Sequence, residues 1–298
     1  MKIVLFGRDG LIGRELLRTL ASLGDVIAPG HKEVDFEDRG RLHDALRFLG
    51  ADVIVNAAGY TAVDQAEADE ARAFRVNAHA VEVLADYARY NGSLLVHYST
   101  DYVFDGKKET PYLETDHPNP LNAYGRSKRA GEQAIEQGGC HHFIFRTSWV
   151  HGVGGKNFVK TIWQQAREQE KLDVIADQAG IPTSAELIAD VTALSIGAFF
   201  ADLLPEGIHH LTASGETSWY GLACHVVKEM QKHGIQTALD VSEIRPVMTA
   251  QYPQPARRPL NSRLDNSQLS QQLGFALPEW PYHVDRTLAQ LLGAERTP

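Results

Sequence analysis

Cysteine is scarce in this 298-residue chain, with Cys140 and Cys224 the two present. That is too few for a disulfide framework or a thiolate cluster, so both thiols read as structural and the expected compartment is the reducing cytoplasm. Long apolar runs are also lacking. No stretch reaches the roughly 18 apolar residues that span a bilayer. The opening Met1-Lys2-Ile3-Val4-Leu5-Phe6 is cut by Gly7, Arg8 and Asp9 well before the length of a secretory signal. Positive charge is in deficit: the formal net charge is −9, whereas a nucleic-acid backbone rewards a basic surface. Repeats and low-complexity segments are absent. Neither nucleic acid nor membrane is therefore expected as a partner, and any phosphate-bearing ligand has to be gripped locally.

What is present is an alternation of short apolar runs with amphipathic helical patterns. Strands are expected at Lys2–Phe6, Val53–Asn56, Leu94–Ser99 and Phe143–Trp149, and helices at Arg14–Leu23, Ala66–Tyr90 and Tyr124–Gln137. Runs such as Val53-Ile54-Val55 lack period-2 alternation, as strands covered on both faces do. The fold class is α/β, a Rossmann-type doubly wound parallel sheet over residues 1–150. Residues 151–298 are expected to form mainly a smaller C-terminal substrate-binding domain. Its helices are expected at Asn157–Gln169, Ala185–Phe200, Ser218–His233 and Tyr282–Leu292. Segments of about 170–200 and 208–233 are expected to return to the first domain, with Leu172–Ile175 and Ile208–Leu211 as candidates for the sheet edge.

Gly7, Gly10 and Gly13 form G-x-x-G-x-x-G between the first strand and the first helix. Glycines there allow a tight turn and close approach of a pyrophosphate, and the helix N-terminus favours its charge. An NAD site usually adds an acid about 20 residues past the loop. Val26 to Lys32 hold none, whereas Arg8, His31 and Lys32 are basic, which favours NADPH over NADH. Asp35 is a second candidate for the adenosine side.

Tyr124 and Lys128 make Y-x-x-x-K, which on a helix sets both side chains on one face about 5–6 Å apart. Reducing a ketone requires a proton for the oxygen as hydride reaches the carbon, and an ordinary tyrosine with a pKa of about 10 is a reluctant donor. A neighbouring ammonium is expected to lower that pKa and to hold a cofactor ribose. Thr100 follows a buried strand, at the position where open α/β sheets present their ligand crevice. Its hydroxyl is expected to reach the substrate carbonyl.

The residues Gly7–Gly13, Val55-Asn56-Ala57-Ala58, His97–Phe104 and Tyr124-Gly125-Arg126-Ser127-Lys128 resemble the extended short-chain dehydrogenase/reductases. Phe145–Val150, Pro255-Ala256-Arg257-Arg258-Pro259 and Asn261-Ser262-Arg263-Leu264 narrow the resemblance to the dTDP-4-dehydrorhamnose reductase family. The resemblance implies hydride transfer from NADPH or NADH to C4 of a dTDP-linked 4-keto-6-deoxysugar. Tyr124 would be proton donor, Lys128 its support and Thr100 the third member. It also implies cofactor contacts from Leu11, Ile12, Phe36, Ala57, Ala58 and Tyr60, and substrate contacts from Tyr102 and from Asn157 beside Phe158. Some members associate through magnesium-linked carboxylates. Glu15 and Glu186 match two such positions, but Gln290 stands where another acid is expected. A homodimer stays open, without a catalytic metal.

On the substrate side, Arg257 and Arg258 suit a diphosphate, because guanidinium groups pair with phosphate bidentately. A solvated basic loop is the plainer reading. Trp149 is a candidate to stack on the sugar or base, although a Trp on an apolar strand is commonly core. Among the thirteen histidines, the adjacent pairs His141-His142 and His209-His210 point to opposite faces of strands and make poor metal sites. Two alternatives remain: a reductase for another nucleotide-linked 4-keto-6-deoxyhexose, and a non-catalytic cofactor-binding subunit.

Overall fold

The computed structural model describes residues 1–296. It opens with β1 (Lys2–Phe6), α1 (Leu11–Leu20), β2 (Asp25–Ile27), α2 (Arg39–Leu49) and β3 (Val53–Asn56). Next come α3 (Val63–Ala68), α4 (Glu70–Phe74), a π-helical turn (Arg75–His79) and α5 (Ala80–Asn91). They are followed by β4 (Leu94–Thr100), α6 (Ala123–Gly138) and β5 (His142–Thr147). The single helix expected over Ala66–Tyr90 is thus divided. Asp69 ends α3, and its carboxylate accepts a hydrogen bond from the Arg72 amide to cap α4, the local competition for backbone donors that acidic side chains offer.

The main sheet has the order β2-β1-β3-β4-β5-β10, where β10 is Gly207–His210, and every pairing in it is parallel. Alternate strand residues feed two cores. Ile3, Leu5, Val53 and Val55 pack with Leu16 and Leu20 of α1 and with Ile188 and Val191 of α8 (Ala185–Phe200). Val4, Phe6 and Ile54 pack on the other face with Leu42, Leu46, Val81, Leu84 and Ile135. Apolar runs without alternation arise because both faces are covered. The order reverses at β1, so the crevice beyond β1 and β3 is where such a sheet binds ligands.

Between β5 and β10 the chain forms β6 (Val150–His151), α7 (Phe158–Glu168), β7 (Leu172–Ile175), β8 (Ala179–Gly180), β9 (Thr183–Ser184) and α8. After β10 come β11 (Thr217–Ser218), α9 (Trp219–Lys232), β12 (Ile244–Val247), α10 (Ser267–Leu273) and α11 (Trp280–Arg296). Ile208 thus joins the edge of the main sheet. Leu172–Ile175 does not: β10 occupies that edge beside β5, and β7 pairs in parallel with β12 instead. A third core links α7, α9 and α11 through Ile162, Trp163, Leu222, Val226, Val284 and Leu288. Among the described residues, no helix is long and apolar enough to cross a membrane.

Candidate active site

The chain leaves β1 through Gly7 at φ +84°, the left-handed region that glycine tolerates. A Cβ at Gly7 would run into the backbone of Ala57 and Ala58, and one at Gly13 into the Gly7 carbonyl. Gly10 caps α1 without a side-chain hydrogen bond, so no side chain takes up the first helical amides. Gly7, Arg8, Gly10, Asp35, Ala57 and Ala58 line a cavity of about 330 Å³, together with Phe36, Tyr60 and His31. Backbone amides, a helix N-terminus and missing Cβ atoms suit a pyrophosphate. Lys32 is not among the lining residues. Arg8 donates from Nη1 to the Ala28 carbonyl at 2.5 Å and lies 3.7 Å from Glu33. Leu11 faces the Gly152–Gly155 loop, while Ile12 packs against the sheet core.

The helix α6 begins at Asn122, whose Oδ1 accepts from the Gly125 amide at 2.8 Å while its Nδ2 donates to the Arg257 carbonyl at 2.8 Å. One side chain therefore starts the Tyr124–Lys128 helix and ties the arginine loop to it. A Cβ on Gly125 would meet the Tyr102 carbonyl, so this glycine lets α6 approach the end of β4. Tyr124 and Tyr102 meet edge to face at 5.6 Å. Thr100 donates from Oγ1 to Asp101 Oδ1 at 3.0 Å and accepts from the Tyr102 amide at 3.2 Å. The same hydroxyl also meets the Tyr124 side chain.

Burial pushes the Tyr124 hydroxyl up to about 12; the Thr100 hydroxyl opposes that shift and the Asp101 charge adds to it. Loss of solvent thus sets the direction of the Tyr124 shift, opposite to the lowering expected. Lys128 itself is brought down to about 8 by burial, against the pull of Glu132. Its Nζ donates to the Tyr98 carbonyl at 2.5 Å and lies 3.2 Å from His97 Nε2. Glu132, one turn further along α6, receives Arg146 of β5 through two 2.8 Å hydrogen bonds. Burial likewise raises Asp101, to about 6.

The two expected arginines differ. Arg257 is exposed, whereas Arg258 forms two 2.8 Å bonds to Asp64 and a 2.7 Å bond to the Ala256 carbonyl. Arg258 lies on the wall of a second cavity with Tyr102, Phe158, Gln178, Trp219 and Tyr252. Trp149 adopts φ +47°, ending β5 earlier than expected, and stacks on Trp219 with centroids 3.5 Å apart. Trp219 in turn donates from Nε1 to Gln178 at 3.0 Å. Asn157 uses its side chain as a cap, accepting from the Lys160 amide and donating to the Gly152 carbonyl, and Phe158 is its neighbour in the cavity wall. Glu186 is paired with Arg286 at 2.5 and 3.0 Å, Glu15 lies 3.5 Å from Arg18, and Gln290 is exposed.

Sequence reasoning missed Asp64, Asn77 and the partners of Lys128. Asn77 sits in the π-helical turn, a deviation that often marks functional sites. It donates to Ser127 Oγ at 2.9 Å and to the Tyr60 carbonyl at 3.0 Å, joining the cofactor wall to the catalytic helix. No local spacing signals these pairs. Among the described residues, no group of three or more His, Cys, Asp or Glu is gathered as a metal site.

Known proteins resemble this chain over nearly its whole length. A family model described as the RmlD substrate binding domain matches residues 1–292. The dTDP-4-dehydrorhamnose reductase of Escherichia coli (strain K12) is 45% identical over 295 residues, 98% of each chain. A crystal structure of a dTDP-4-dehydrorhamnose reductase from Clostridium acetobutylicum has a TM-score of 0.89 at 32% identity, covering 98% of this chain and 100% of that one. A Bacillus anthracis dTDP-4-dehydrorhamnose reductase in complex with NADP has a TM-score of 0.86 at 30% identity, covering 97% and 99%. With its parallel sheet, glycine turn and Tyr124–Lys128 helix, the chain belongs to the RmlD substrate-binding-domain family, that of the dTDP-4-dehydrorhamnose reductases.

Proposed function

We propose that this protein reduces the C4 keto group of dTDP-4-dehydro-L-rhamnose to give dTDP-L-rhamnose, in the cytoplasm, with NADPH or NADH as reductant. The observation that carries this reading is the meeting of Thr100, at the carboxyl end of β4, with Tyr124 of the Lys128-bearing helix. When bound, the reduced nicotinamide supplies the hydride. Gly7, Arg8, Gly10, Gly13, Leu11, Ile12, Asp35, Phe36, Ala57, Ala58 and Tyr60 are assigned to its binding, with Arg8 and His31 favouring NADPH.

Tyr124 is the proton donor to the carbonyl oxygen, with Lys128 one turn on along α6 to support the phenolate that donation leaves. Thr100, the third member, is assigned to the substrate carbonyl, and Asp101 and the Tyr102 amide hold its hydroxyl at the end of β4. Lys128 carries the proton balance behind Tyr124. Arg257 and Arg258 are assigned to the diphosphate and Tyr102 and Trp149 to the sugar-nucleotide, with Asn157 shaping the turn beside them. We also propose a homodimer that needs no magnesium bridge, because Glu186 already has Arg286 as its cation.

The test is direct. Purified protein is mixed with dTDP-4-dehydro-L-rhamnose and NADPH or NADH, and nicotinamide absorbance is followed. Oxidation dependent on the sugar nucleotide supports the reading; no oxidation with either nucleotide overturns it.

A further inference from the structure

Trp149 adopts φ +47°, a backbone conformation costly for a bulky residue, and such strain persists only where the surroundings over-determine it. The backbone is held first. Ser148 Oγ donates to the Ile181 carbonyl at 2.9 Å, and the Thr183 amide donates to the Trp149 carbonyl at 3.3 Å. The ring is held from two sides. Trp219 stacks on it with ring planes 10° apart and centroids at 3.5 Å. A Cβ built on Gly180 would fall on Trp149 Cε2, with Cζ2 and Nε1 the next nearest atoms. Those two atoms flank Cε2 in the indole, so a methyl arriving in the ring plane would meet one of them first. Gly180 therefore covers a face of the ring, and with no Trp219 atom among the three nearest, it is the face opposite Trp219. Gly180 is not among the glycines with positive φ, so its backbone would accept alanine; the Trp149 ring is what leaves no room for one.

Neither neighbour is free to retreat. Trp219 opens α9, its Nε1 donates to Gln178 Oε1 at 3.0 Å, and Gln178 Nε2 donates to Thr249 Oγ1 at 3.1 Å. Phe158 tilts against Trp219 with centroids 4.6 Å apart. Gly180 pairs with Thr217 of β11. Ala179, just before it, donates to the Leu260 carbonyl at 2.8 Å and accepts from the Ser262 amide at 2.7 Å. The indole thus fills a slot whose width is the space that a missing Cβ leaves.

We propose that Gly180 is a positioning residue: its missing side chain seats the Trp149 indole against Trp219 and fixes the angle at which that ring walls the sugar site. Trp149 lies two residues beyond Thr147, the β5 residue opposite Thr100, so a ring pushed out of its slot shifts at the edge of the catalytic crevice. The cofactor, assigned to the glycine turn after β1, is not held by this slot. The catalytic meaning rests on the proposed reductase reading, in which Trp149 meets the sugar-nucleotide; the seat itself does not.

The experiment is a double-mutant cycle of Gly180→Ala, Trp149→Ala and the two combined. Two indoles stacked this closely give an exciton couplet in circular dichroism. The couplet is expected in wild type, absent in Trp149→Ala and weakened in Gly180→Ala. In the sugar-dependent assay Gly180→Ala should raise KM for the sugar nucleotide by about tenfold or more, with NADPH affinity within a few-fold of wild type. Because the effect runs through the indole, adding Gly180→Ala to Trp149→Ala should move neither KM nor the urea midpoint further; a glycine needed only by the backbone would cost the same in both backgrounds. Additive losses overturn the proposal, as does a Gly180→Ala protein that keeps the wild-type couplet. The expected couplets and midpoints without turnover overturn only the assigned reaction. Should Gly180→Ala alone fail to fold, a double variant that folds is the expected result, and one that does not overturns the proposal.

Discussion

Arg258 and Asp64, 194 residues apart, form a two-pronged ion pair with both contacts at 2.8 Å. This pair sits between the arginine loop and the start of α3, so the guanidinium assigned to a diphosphate is already aimed by a carboxylate. Arg258 holds Asp64 below its ordinary pKa of 3.8. The folded-state value is depressed, so the pair's stabilisation is complete above about pH 4 and fades as pH falls through the lowered pKa. Asp64→Asn should lower stability at pH 7 by about 1 kcal/mol, the partly exposed carboxylate being screened, and raise KM for the sugar nucleotide more than it lowers kcat. Urea midpoints at pH 7 and pH 3 check this, because the difference between wild type and variant should shrink at the lower pH.

Tyr124→Phe removes the proton donor but keeps the ring against Tyr102. Turnover should fall by about 10²–10⁴-fold, the usual worth of a positioned acid. Nucleotide affinity, read from NADPH fluorescence, should stay within a few-fold of wild type. A variant with near-normal turnover would show that the proton comes from another group.

Features written within one turn or one strand were legible in the sequence: the apolar run of β3, the three glycines and the i,i+4 spacing of Tyr124 and Lys128. Their periods are local and follow from backbone geometry. The setting of that pair was not legible. His97 reaches Lys128 across 31 residues and Arg146 reaches Glu132 across 14, and burial, a property of the whole packed core, reverses the expected sign for Tyr124. Trp219 stacks on Trp149 from 70 residues further along the chain, a contact that no local pattern announces. Ile208–Leu211 and Leu172–Ile175 look alike as short apolar runs. Competition for one sheet edge separates them, and no single segment contains that information.

Gly13→Ala tests the turn. Its new Cβ would strike the Gly7 carbonyl, a backbone atom that cannot swing aside as a side-chain end does. The shift displaces the first turn of α1 from β1. We expect NADPH affinity to fall by about tenfold or more, with a lower thermal midpoint. Gly139→Ala is the control: Gly139 has positive φ but open space at its Cβ, so it should lose some stability while retaining nucleotide affinity. Fluorescence titration with NADPH distinguishes the two, and equal losses of affinity would remove the steric argument.

Glu132 and Arg146 are the most deeply buried ion pair near the site, with side chains 0% and 1% exposed. Removing one partner leaves the other charged and dehydrated, at a cost of about 3–5 kcal/mol, whereas replacing both with apolar residues of similar volume is commonly far milder. Glu132→Gln should therefore lower the unfolding midpoint sharply, and Glu132→Met with Arg146→Met should recover much of the loss. The catalytic consequence has its own sign. Glu132 raises the Lys128 pKa, so losing its charge should move the lysine titration further down and shift the alkaline limb of turnover to lower pH. Chemical denaturation measures the first effect and the pH–rate profile the second. A Glu132→Gln enzyme of wild-type stability would mean that the pair contributes nothing to the fold.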